Sequence, residues 1–294
     1  MEPKTQIFCF HRVSDEFSPA YPPIPVKVFE KILSFIDRNY VVIPMEEIEK
    51  KCTSGKPRLI ITFDDAYYDF YENALPLLYK FRFPAVQHVI TNSATTGESF
   101  WTQKLNKLTE AYFNTEKSII IPELQVNCTM KNTSEVEKTA LEIYFMLLDR
   151  PDRNELLIKL ENQLDCNIAY TKMMTWNELN ECTKYCVSIG SHTHTHATLS
   201  ALDKTGLAYE LEYSRKLIRD NIPSSDCVSL AFPNGRYNSG VIDMALQCGY
   251  KYLMSTEPCS FYQKTVNNVL PRFIVYNKQW WRNYVKLNIY MYFK

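Results

Sequence analysis

The sequence predicts a parallel β/α fold that forms a single domain. Short apolar runs alternate with amphipathic helical patterns through most of the 294 residues, and this alternation is typical of β-α-β units. Acidic and histidine residues directly follow two of the predicted strands, where parallel sheets and barrels carry their chemistry. A chain of this length can bury one large core, and many α/β barrels of similar length are one domain.

The first part of the chain alternates strands with helices. An apolar strand at Ile7–Phe10 ends at His11 and is followed by a Pro-rich loop. Apolar residues from Val28 to Ile36 recur at helical spacing and predict a helix. The next predicted elements are a strand at Val41–Ile43, a short helix opened by Pro44, a strand at Leu59–Phe63, a helix at Tyr71–Phe81 that Pro76 bends, and a strand at Ala85–Ile90.

The alternation stops at residues 93–175 and then returns. This segment holds three helical patterns, and we predict that it is an insertion into one domain spanning 1–294. The helical patterns are at Lys104–Phe113, Glu135–Leu148 and Arg153–Leu164. The later predicted elements are a helix at Trp176–Tyr185 capped by Thr175, a strand at Val187–Gly190, a helix at Gly206–Asp220, a strand at Ser229–Phe232, a helix at Val241–Cys248, and strands at Tyr252–Ser255 and Val269–Phe273.

Composition narrows the function classes. Lys plus Arg and Asp plus Glu number 33 each, so the chain lacks the basic excess that nucleic-acid binding requires. No apolar run reaches 18 residues and no secretory h-region opens the sequence. We therefore expect a cytoplasmic protein whose nine cysteines are reduced thiols.

Two adjacent carboxylates, Asp64 and Asp65, follow the strand Leu59–Phe63. Gly55 and Pro57 precede this apolar run, which is typical of a buried strand in a parallel sheet. The pair is therefore expected at the end of the strand that carries chemistry. The alternative is that Asp65 only caps the following helix while Asp64 is solvated.

Three of the five histidines fall between residues 192 and 196, directly after the strand Val187–Gly190. His192 and His196 are four residues apart and would share one face of a helical turn, with His194 on the other side. Two imidazoles and a carboxylate leave a metal position open for water, and Asp65 is the natural third ligand. Asp64 would then be free to take a proton from that water. A pair of surface or core histidines is the alternative.

Three motifs resemble those of the polysaccharide deacetylases, the NodB-homology group of carbohydrate esterase family 4. They are Thr62-Phe63-Asp64-Asp65, His192-Thr193-x-x-His196 and Ala231-Phe232-Pro233-Asn234-Gly235. The resemblance implies a distorted (β/α) barrel that removes acetyl groups from sugars with a divalent metal. It implies Asp64 as the base and Asp65, His192 and His196 as metal ligands. Pro233 would contact substrate, and the backbone N–H of Asn234 would help hold the oxyanion.

The sequence departs from the common pattern of this family at two places. Ala231 stands where the third motif usually carries an arginine, and no histidine follows His196 to serve as the usual late catalytic residue. A circularly permuted branch, which acts on poly-N-acetylglucosamine-type polymers, begins with a segment that Phe8 to Ser14 resembles. His11 is therefore the candidate general acid, and Arg272 the candidate replacement for the missing arginine. A strand-end histidine bonded to a neighbour is the alternative for His11.

The remaining expectations concern the insertion, the tail and the other histidines. We expect the insertion to wall the substrate groove, with Trp101 as a sugar-stacking residue. The Trp- and Tyr-rich tail is expected either to pack on the barrel or to lie on a membrane surface. His88 is expected in the core. His194 is expected in solvent, with contact to substrate as the alternative.

The predicted function is metal-dependent deacetylation of an N-acetylated sugar in a polysaccharide, oligosaccharide or lipid-linked precursor. Zinc is the default ion, although a His₂-carboxylate site also fits iron, cobalt or nickel. Two alternatives are a metal-dependent amidase for a small non-sugar amide and a barrel that binds glycan without turning it over. The expected partners are the acetylated carbohydrate and, through the C-terminal tail, a membrane surface, without nucleic acid.

Overall fold

The structure, a computed structural model, describes residues 5–50, 55–256, 269–276 and 278–292. The chain forms two compact units. The barrel unit comprises the N-terminal residues through Asp15 together with Pro23–Glu98 and Met173–Lys294. The insertion unit comprises Ser99–Lys172 together with Glu16–Pro22. One domain with a single inserted segment was predicted, and the contribution of Glu16–Pro22 to the second unit was missed.

The secondary structure follows the predicted alternation closely. The strands are β1 (Thr5–Phe10), β2 (Val41–Val42), β3 (Arg58–Phe63), β4 (Ala85–Val89), β5 (Ile119–Ile121), β6 (Val126–Cys128), β7 (Val187–Ser191), β8 (Ser229–Ala231), β9 (Tyr252–Ser255), β10 (Val269–Pro271) and β11 (Phe273–Ile274). The α-helices are α1 (Val26–Asn39), α2 (Leu75–Phe81), α3 (Thr91–Thr96), α4 (Trp101–Asn114), α5 (Thr133–Leu147), α6 (Arg153–Asn162), α7 (Trp176–Cys182), α8 (Lys204–Ala208), α9 (Ser214–Asn221), α10 (Ser239–Gln247) and α11 (Trp280–Tyr292).

The large sheet of the barrel unit is parallel throughout its described residues. Its strand order is β10-β9-β8-β7-β4-β3-β1-β11, and β2 pairs with the start of β3. The two outermost strands of this order, β10 and β11, are separated in the chain by Arg272 alone. The sheet must therefore curl until its two edges meet at Arg272. The predicted β/α barrel is confirmed, and Arg272 lies at its seam.

This closure corrects one predicted element. The sequence reads as a single strand from Val269 to Phe273, whereas the structure places β10 against β9 and β11 against β1, on opposite edges of the sheet. Periodicity could not reveal the break, because both short strands are buried and apolar like one continuous strand.

The strands bury both faces, and the two faces differ. Alternate residues such as Phe8, Ile61 and Leu230 join the core that the helices cover. The residues between them form a smaller apolar cluster that fills the barrel interior and includes Ile7, Ile60, Val86, Met254 and Leu270. Because side chains alternate along a strand, the residues two positions further toward the carboxyl ends share this inward face. That position belongs to Cys9, Thr62, His88 and Arg272.

Strand register brings the functional candidates to one edge of the sheet. Phe10 in β1 pairs with Phe63 in β3, and Val89 in β4 pairs with Ser191 in β7. The residues that follow β1, β3 and β7 are His11, Asp64 and His192. Since all these strands are parallel, the three side chains leave the sheet at the same carboxyl-terminal edge.

Two helices of the barrel unit contain π-helical segments. Residues Phe70–Ala74 form one before α2, and Tyr209–Tyr213 form another between α8 and α9. The first directly precedes the turn that contains Pro76, which has no N–H to continue an α-helical ladder. The bend predicted at Pro76 is therefore expressed as a wider turn just before it.

The insertion unit has its own apolar core and includes the short segment Glu16–Pro22. Helices α4, α5 and α6 pack around buried residues such as Leu105, Val136 and Leu156. Glu110 in α4 accepts hydrogen bonds from Ser18 Oγ at 2.7 Å and from the Ala20 N–H at 3.3 Å. The predicted bounds 93–175 were too wide at both ends, because α3 and the cap of α7 belong to the barrel unit.

The C-terminal helix α11 packs partly on the barrel unit. Leu287 is fully buried, and the ring of Tyr284 meets Phe35 of α1 edge to face at 5.8 Å. The side chains of Trp281 and Ile289 stay exposed. Within the described residues, no helix combines the length and the apolar character needed to span a membrane.

Candidate active site

The chain turns sharply after the first carboxylate of the acidic pair. The N–H of Asp64 still donates to the carbonyl of Phe10, so Asp64 ends the β3 ladder. Asp65 and Ala66 then adopt positive φ angles of 73° and 62°. Residues with a Cβ rarely adopt this left-handed conformation, and it stores strain where function requires it. The turn directs the two neighbouring carboxylates into different surroundings.

Asp64 lies in a dense set of hydrogen-bond donors. Arg272 donates to both of its oxygens, from Nη1 to Oδ1 and from Nη2 to Oδ2, each at 2.7 Å. His88 Nδ1 lies 3.1 Å from Oδ1, and Cys9 Sγ lies 3.4 Å from Oδ2. Asp64, His88 and Arg272 are at most 2% exposed. The carboxylate is thus held in one orientation by the barrel interior.

Arg272 is anchored by more than this ion pair. Its Nη1 also donates to Thr62 Oγ1 at 3.2 Å, and its Nε donates to the carbonyl of Ser255 at 3.3 Å. Arg272 therefore lies beside Asp64, where the sequence analysis placed the substitute for the missing arginine. Its chemical role remains a proposal.

The two neighbouring acids have opposite electrostatic environments. Burial by itself would raise the pKa of Asp64, but the Arg272 guanidinium and the hydrogen bonds from His88 and Arg272 hold it well below its usual range. Burial raises the pKa of Asp65 well above its usual range, and the nearby negative charge of Asp64 adds to this effect. Asp64 is thus a stable anion, whereas the positive charge of Arg272 opposes the upward shift of the Asp65 pKa without overcoming it.

Asp65, His192 and His196 converge on one point. Asp65 Oδ1 lies 3.4 Å from His192 Nε2 and 3.7 Å from His196 Nε2, and all three residues are buried. Two ligands each about 2.1 Å from one tetrahedral ion would lie about 3.4 Å apart. The three side chains thus have the spacing and the chemistry to hold a metal ion.

The two histidines do not lie on a helical turn, so the geometric reason given for their pairing was wrong. Residues 192–196 form a bent loop in which Thr193 and His196 have positive φ angles of 68° and 59°. Thr193 Oγ1 accepts a hydrogen bond from the N–H of His196 and closes the loop. This compact turn brings the two imidazole centroids to 4.9 Å. Periodicity cannot detect such a turn, because positive φ has no reliable signature in Thr and His.

The surroundings of these three residues fit a divalent cation. Asp65 Oδ1 is buried and has no hydrogen-bond donor among the described residues, an arrangement that costs free energy without a cation. His192 Nδ1 lies 2.9 Å from the carbonyl of Ala231, which orients Nε2 toward Asp65. Burial lowers the pKa of His192 to about 4, so the imidazole is in the neutral form that metals bind.

His11 lies on the Asp64 side of the site. Ligand atoms of Cys9, His11 and Asp64 all fall within 4.8 Å of one another. Burial lowers the pKa of His11, although the negative charge of Asp64 opposes this shift. His11 is thus placed at the functional edge of the barrel and near the predicted base, as the candidate acid must be.

His88 and Cys9 are neighbours of Asp64 that were not predicted from the sequence. His88 was expected in the core, and it is fully buried there, but its imidazole contacts Asp64. Cys9 pairs with Thr62 across β1 and β3, two residues before Asp64. Both residues occupy positions of their strands that face the barrel interior. Their contact with Asp64 could have been predicted from these positions only if the strand register had been known.

His194 is buried, which corrects the expectation that it faces solvent. Its Nδ1 lies 2.9 Å from Thr91 Oγ1, and its ring packs against Tyr209 and Tyr213. Glu210 accepts hydrogen bonds from the backbone N–H groups of His194 and Thr195. The loop 192–196 is therefore supported by the π-helical segment Tyr209–Tyr213.

The third motif forms a tight turn after β8. Residues Pro233–Gly235 make one helical turn in which Asn234 has a positive φ of 59°. Asn234 Nδ2 donates to Thr198 Oγ1 at 3.5 Å, which connects this turn to the segment after the histidine loop. At Gly235, φ is +67°, and a Cβ there would lie 2.1 Å from Thr256 Oγ1. Glycine is thus required both by conformation and by space.

Trp101 is a core residue of the insertion unit. It is 4% exposed, its ring stacks on Tyr144 with centroids 5.4 Å apart, and the Arg153 guanidinium lies 4.7 Å from its centroid. A ring that is buried in this way cannot offer a face to a sugar. The role suggested for Trp101 from its residue type is therefore not supported, and the residue stabilises the packing of α4, α5 and α6.

Comparison with known proteins decides the family. A family model described as polysaccharide deacetylase matches residues 51–253, more than half of the chain. The chain belongs to the polysaccharide deacetylase family. The resemblance stated from the three motifs is therefore confirmed. The curated protein YxkH of Bacillus subtilis (strain 168), a polysaccharide deacetylase by name, is 22% identical over 260 residues. This match covers 87% of the chain but only 65% of YxkH, so the chain spans less than two thirds of that relative.

Solved structures share the fold. The deacetylase PplD of Streptococcus pyogenes, solved in complex with acetate, is 16% identical with a TM-score of 0.64, over 97% of this chain and 98% of PplD. A de-N-acetylase from Aggregatibacter actinomycetemcomitans is 16% identical with a TM-score of 0.58, over 94% and 96% of the two chains. At these identities the likeness establishes the barrel fold of this polysaccharide deacetylase family member.

Proposed function

We propose that this protein is a metal-dependent deacetylase that hydrolyses the N-acetyl group of an acetylated carbohydrate. The convergence of Asp65, His192 and His196 beside Asp64 carries the proposal. Family membership supports deacetylation of a sugar. Acetate bound to PplD and the name of the Aggregatibacter de-N-acetylase support the N-acetyl group as the target.

Asp65, His192 and His196 are the proposed ligands of one divalent ion, with zinc as the default and iron, cobalt or nickel as alternatives. Such an ion, when bound, would polarise the acetyl carbonyl and lower the pKa of a coordinated water toward about 7. The neutral form of His192, which burial favours, suits this task.

Asp64 is the proposed general base, because it is a stable anion next to the ligand set. It takes a proton from the attacking water, while Arg272 keeps its carboxylate ionised and oriented. The backbone N–H of Asn234, beside Pro233, is proposed to bind the oxygen of the acetyl group as negative charge develops on it.

His11 is the proposed general acid. An amine leaves an acetyl centre poorly unless it is protonated, so a proton donor must lie near the scissile bond. His194 contacts Thr91, and His192 and His196 face Asp65. Ligand atoms of His11, Asp64 and Cys9 lie within 4.8 Å of one another, and this position beside the proposed base supports His11 as the acid.

The experiment combines metal analysis with acetate release from N-acetylated oligosaccharides and lipid-linked sugars. Asp65→Asn, His192→Ala and His196→Ala should lose the bound metal, whereas Asp64→Asn should keep the metal and lose about 10²–10⁴-fold in kcat. Asp69→Asn is a matched control, because Asp69 is also buried and paired with an arginine, Arg12, at 2.8 Å. It should keep both metal and turnover. Equal metal loss in Asp64→Asn would make Asp64 a ligand and overturn the division of roles.

Three further predictions concern substrate choice, location and membrane contact. They are the control of substrate choice by the insertion unit, the cytoplasmic location, and contact of the C-terminal tail with a membrane. The last rests on the exposed aromatic and aliphatic side chains of α11, among them Trp281 and Ile289.

A further inference from the structure

Every acceptor position of Asp64 is taken by a donor from the barrel itself. An ionised carboxylate offers about four acceptor positions, two on each oxygen. Among the described residues, Oδ1 contacts Arg272 Nη1 and His88 Nδ1, while Oδ2 contacts Arg272 Nη2 and Cys9 Sγ. A general base must receive a proton on one oxygen. One of these four donors must therefore give way during the reaction.

The four donors differ greatly in strength. The two guanidinium contacts at 2.7 Å are charge-assisted and bidentate, which makes them the hardest to break. A thiol is a weak donor, and its contact with Oδ2 is the longest of the four at 3.4 Å. Cys9 Sγ also lies 3.8 Å from the carbonyl oxygen of Phe10, which provides an alternative acceptor. Cys9 is thus the donor that can turn away at the least cost.

The surroundings of His88 are shaped to fit its imidazole ring. Its imidazole is fully buried, and because a carboxylate only accepts, its Nδ1 carries the proton that it donates to Asp64. Its Nε2 has no hydrogen-bond partner among the described residues, which suits the unprotonated nitrogen of a neutral ring. Gly190 is its neighbour across β4 and β7. A Cβ at Gly190 would lie 2.6 Å from His88 Cδ2 and 2.2 Å from Ser229 Oγ. The absence of a side chain at Gly190 makes room for the ring.

We propose that His88 is a positioning residue that holds Asp64 Oδ1 together with Arg272, so that Oδ2 is the oxygen that takes the proton. In this step an oxygen lone pair of the attacking water forms the bond to the acetyl carbon, and the π electrons of the acetyl C=O bond move to its oxygen. The O–H bond of the water breaks as its proton passes to Asp64 Oδ2. The S–H group of Cys9 turns from Oδ2 to the Phe10 carbonyl. The inference rests on the proposed function, in which Asp64 is the base.

His88→Phe tests the first part of the proposal, because it fills similar space without a donor. We expect kcat to fall about 10–100-fold while KM and metal content stay unchanged. His88→Asn, whose amide nitrogen can replace Nδ1 as donor, should restore most of kcat. Gly190→Ala, which would displace the ring, should reproduce the loss if His88→Phe does not fold. A His88→Phe enzyme with wild-type kcat would overturn the inference, as would a loss of metal in step with activity.

Cys9→Ser tests the second part. A hydroxyl is a stronger donor than a thiol, so it should hold Oδ2 more firmly and lower kcat without changing KM. Cys182→Ser in α7 is the matched control, because Cys182 is equally buried and lies in a helix outside the site. It should keep wild-type kcat. If Cys9→Ser turns over at the wild-type rate, Cys9 is not the donor that yields.

The outcome separates this inference from the proposed function. If the wild-type protein loaded with metal releases no acetate from any N-acetylated sugar, the proposed function is wrong. If the wild-type protein is active and His88→Phe matches it, only the role of His88 is wrong. A crystal structure of His88→Phe adds a readout independent of activity, because Asp64 should keep its two contacts with Arg272 while Oδ1 loses the donor at its second acceptor position.

Discussion

The two halves of the site place two neighbouring carboxylates in opposite electrostatic environments. In what we call the Asp64 cluster, the barrel supplies both the anion and its compensating cation; its members are Cys9, His11, Asp64, His88 and Arg272. In the Asp65 cluster, which consists of Asp65, His192 and His196, the carboxylate oxygen Oδ1 has no donor among the described residues. Asp64 thus has its counter-ion within the chain, whereas Asp65 is proposed to share a bound cation with the two histidines. The two carboxylates belong to adjacent residues, and they enter different surroundings because the chain turns through positive φ at Asp65.

The largest expected effect that tests this comparison is on kcat, through protonation of the departing amine. If His11 belongs functionally to the Asp64 cluster, His11→Ala should keep the metal held by the Asp65 cluster. It should lose about 10²–10⁴-fold in kcat on an N-acetylated sugar, because a general acid contributes about that much. An acetyl ester with a good leaving group needs no such proton and should lose far less. The measurement is acetate release from both substrates, with metal content determined in parallel.

Equal loss on amide and ester would remove His11 from the role of acid. Loss of metal in His11→Ala would contradict the division into two clusters, because it would mean that His11 contributes to metal binding. Tyr79→Phe is a suitable control in these assays, because the Tyr79 side chain is 63% exposed and packs beside Tyr185 outside both clusters. It should match the wild type on both substrates.

The second effect is on the stability of the metal-free protein, and it should have opposite signs in the two clusters. Asp64→Asn leaves the buried Arg272 guanidinium without its anion, which typically costs about 3–5 kcal/mol. Asp65→Asn removes a buried charge that repels Asp64 and that Arg272 does not fully compensate, so it should raise the free energy of unfolding. Chemical denaturation in the presence of a chelator measures both values.

Destabilisation by Asp65→Asn in the absence of metal would contradict the comparison, since it would mean that the chain itself compensates this carboxylate. Asp69→Asn again serves as reference, because it breaks a buried ion pair with Arg12 outside both clusters. Its loss of stability should resemble that of Asp64→Asn. The sign of the Asp65→Asn effect, compared with these two, is the informative quantity.

The sequence predicted the Asp65 cluster better than the Asp64 cluster, for a physical reason. Asp65 and His192 closely follow the apolar strands β3 and β7, and His196 lies four residues after His192. Chain order alone therefore brings the three proposed ligands to one edge of a parallel barrel. The partners of Asp64 lie within strands, at Cys9 and His88, or at the seam, at Arg272. Their meeting depends on strand register and on barrel closure, which no local pattern specifies.

Local conformation was the second gap. The loop that carries His192 and His196 pairs them through positive φ at Thr193 and His196, not through a helical turn. Residue type alone likewise suggested an exposed Trp101, whereas the insertion unit buries it. Neither the backbone conformation of the loop nor the burial of Trp101 could be predicted from residue type. Tertiary packing decides the backbone of short loops and the burial of single aromatic rings.

The smallest expected effect is a pH dependence of the metal-free protein, and it arises from Asp65. Burial and the charge of Asp64 raise its folded-state pKa well above the usual range, so the folded state binds a proton over a pH range in which the unfolded state has already lost it. The stability contributed by protonated Asp65 is complete below the unfolded pKa of about 3.9. It is lost as the pH rises through the folded-state pKa. Asp64 behaves in the opposite sense, because its lowered pKa gives stability that persists until the solution is strongly acidic.

Between these limits the free energy of unfolding of the metal-free wild type should therefore fall with rising pH relative to that of Asp65→Asn, which cannot titrate at this position. Denaturant titrations of both proteins in chelator, at a series of pH values above 4, measure this difference. Saturating zinc should cancel or reverse it in the wild type, because binding to the folded state stabilises it and requires deprotonated ligands. If the difference between the two proteins does not change with pH, Asp65 has a compensating partner in the folded chain, and the contrast between the two clusters fails.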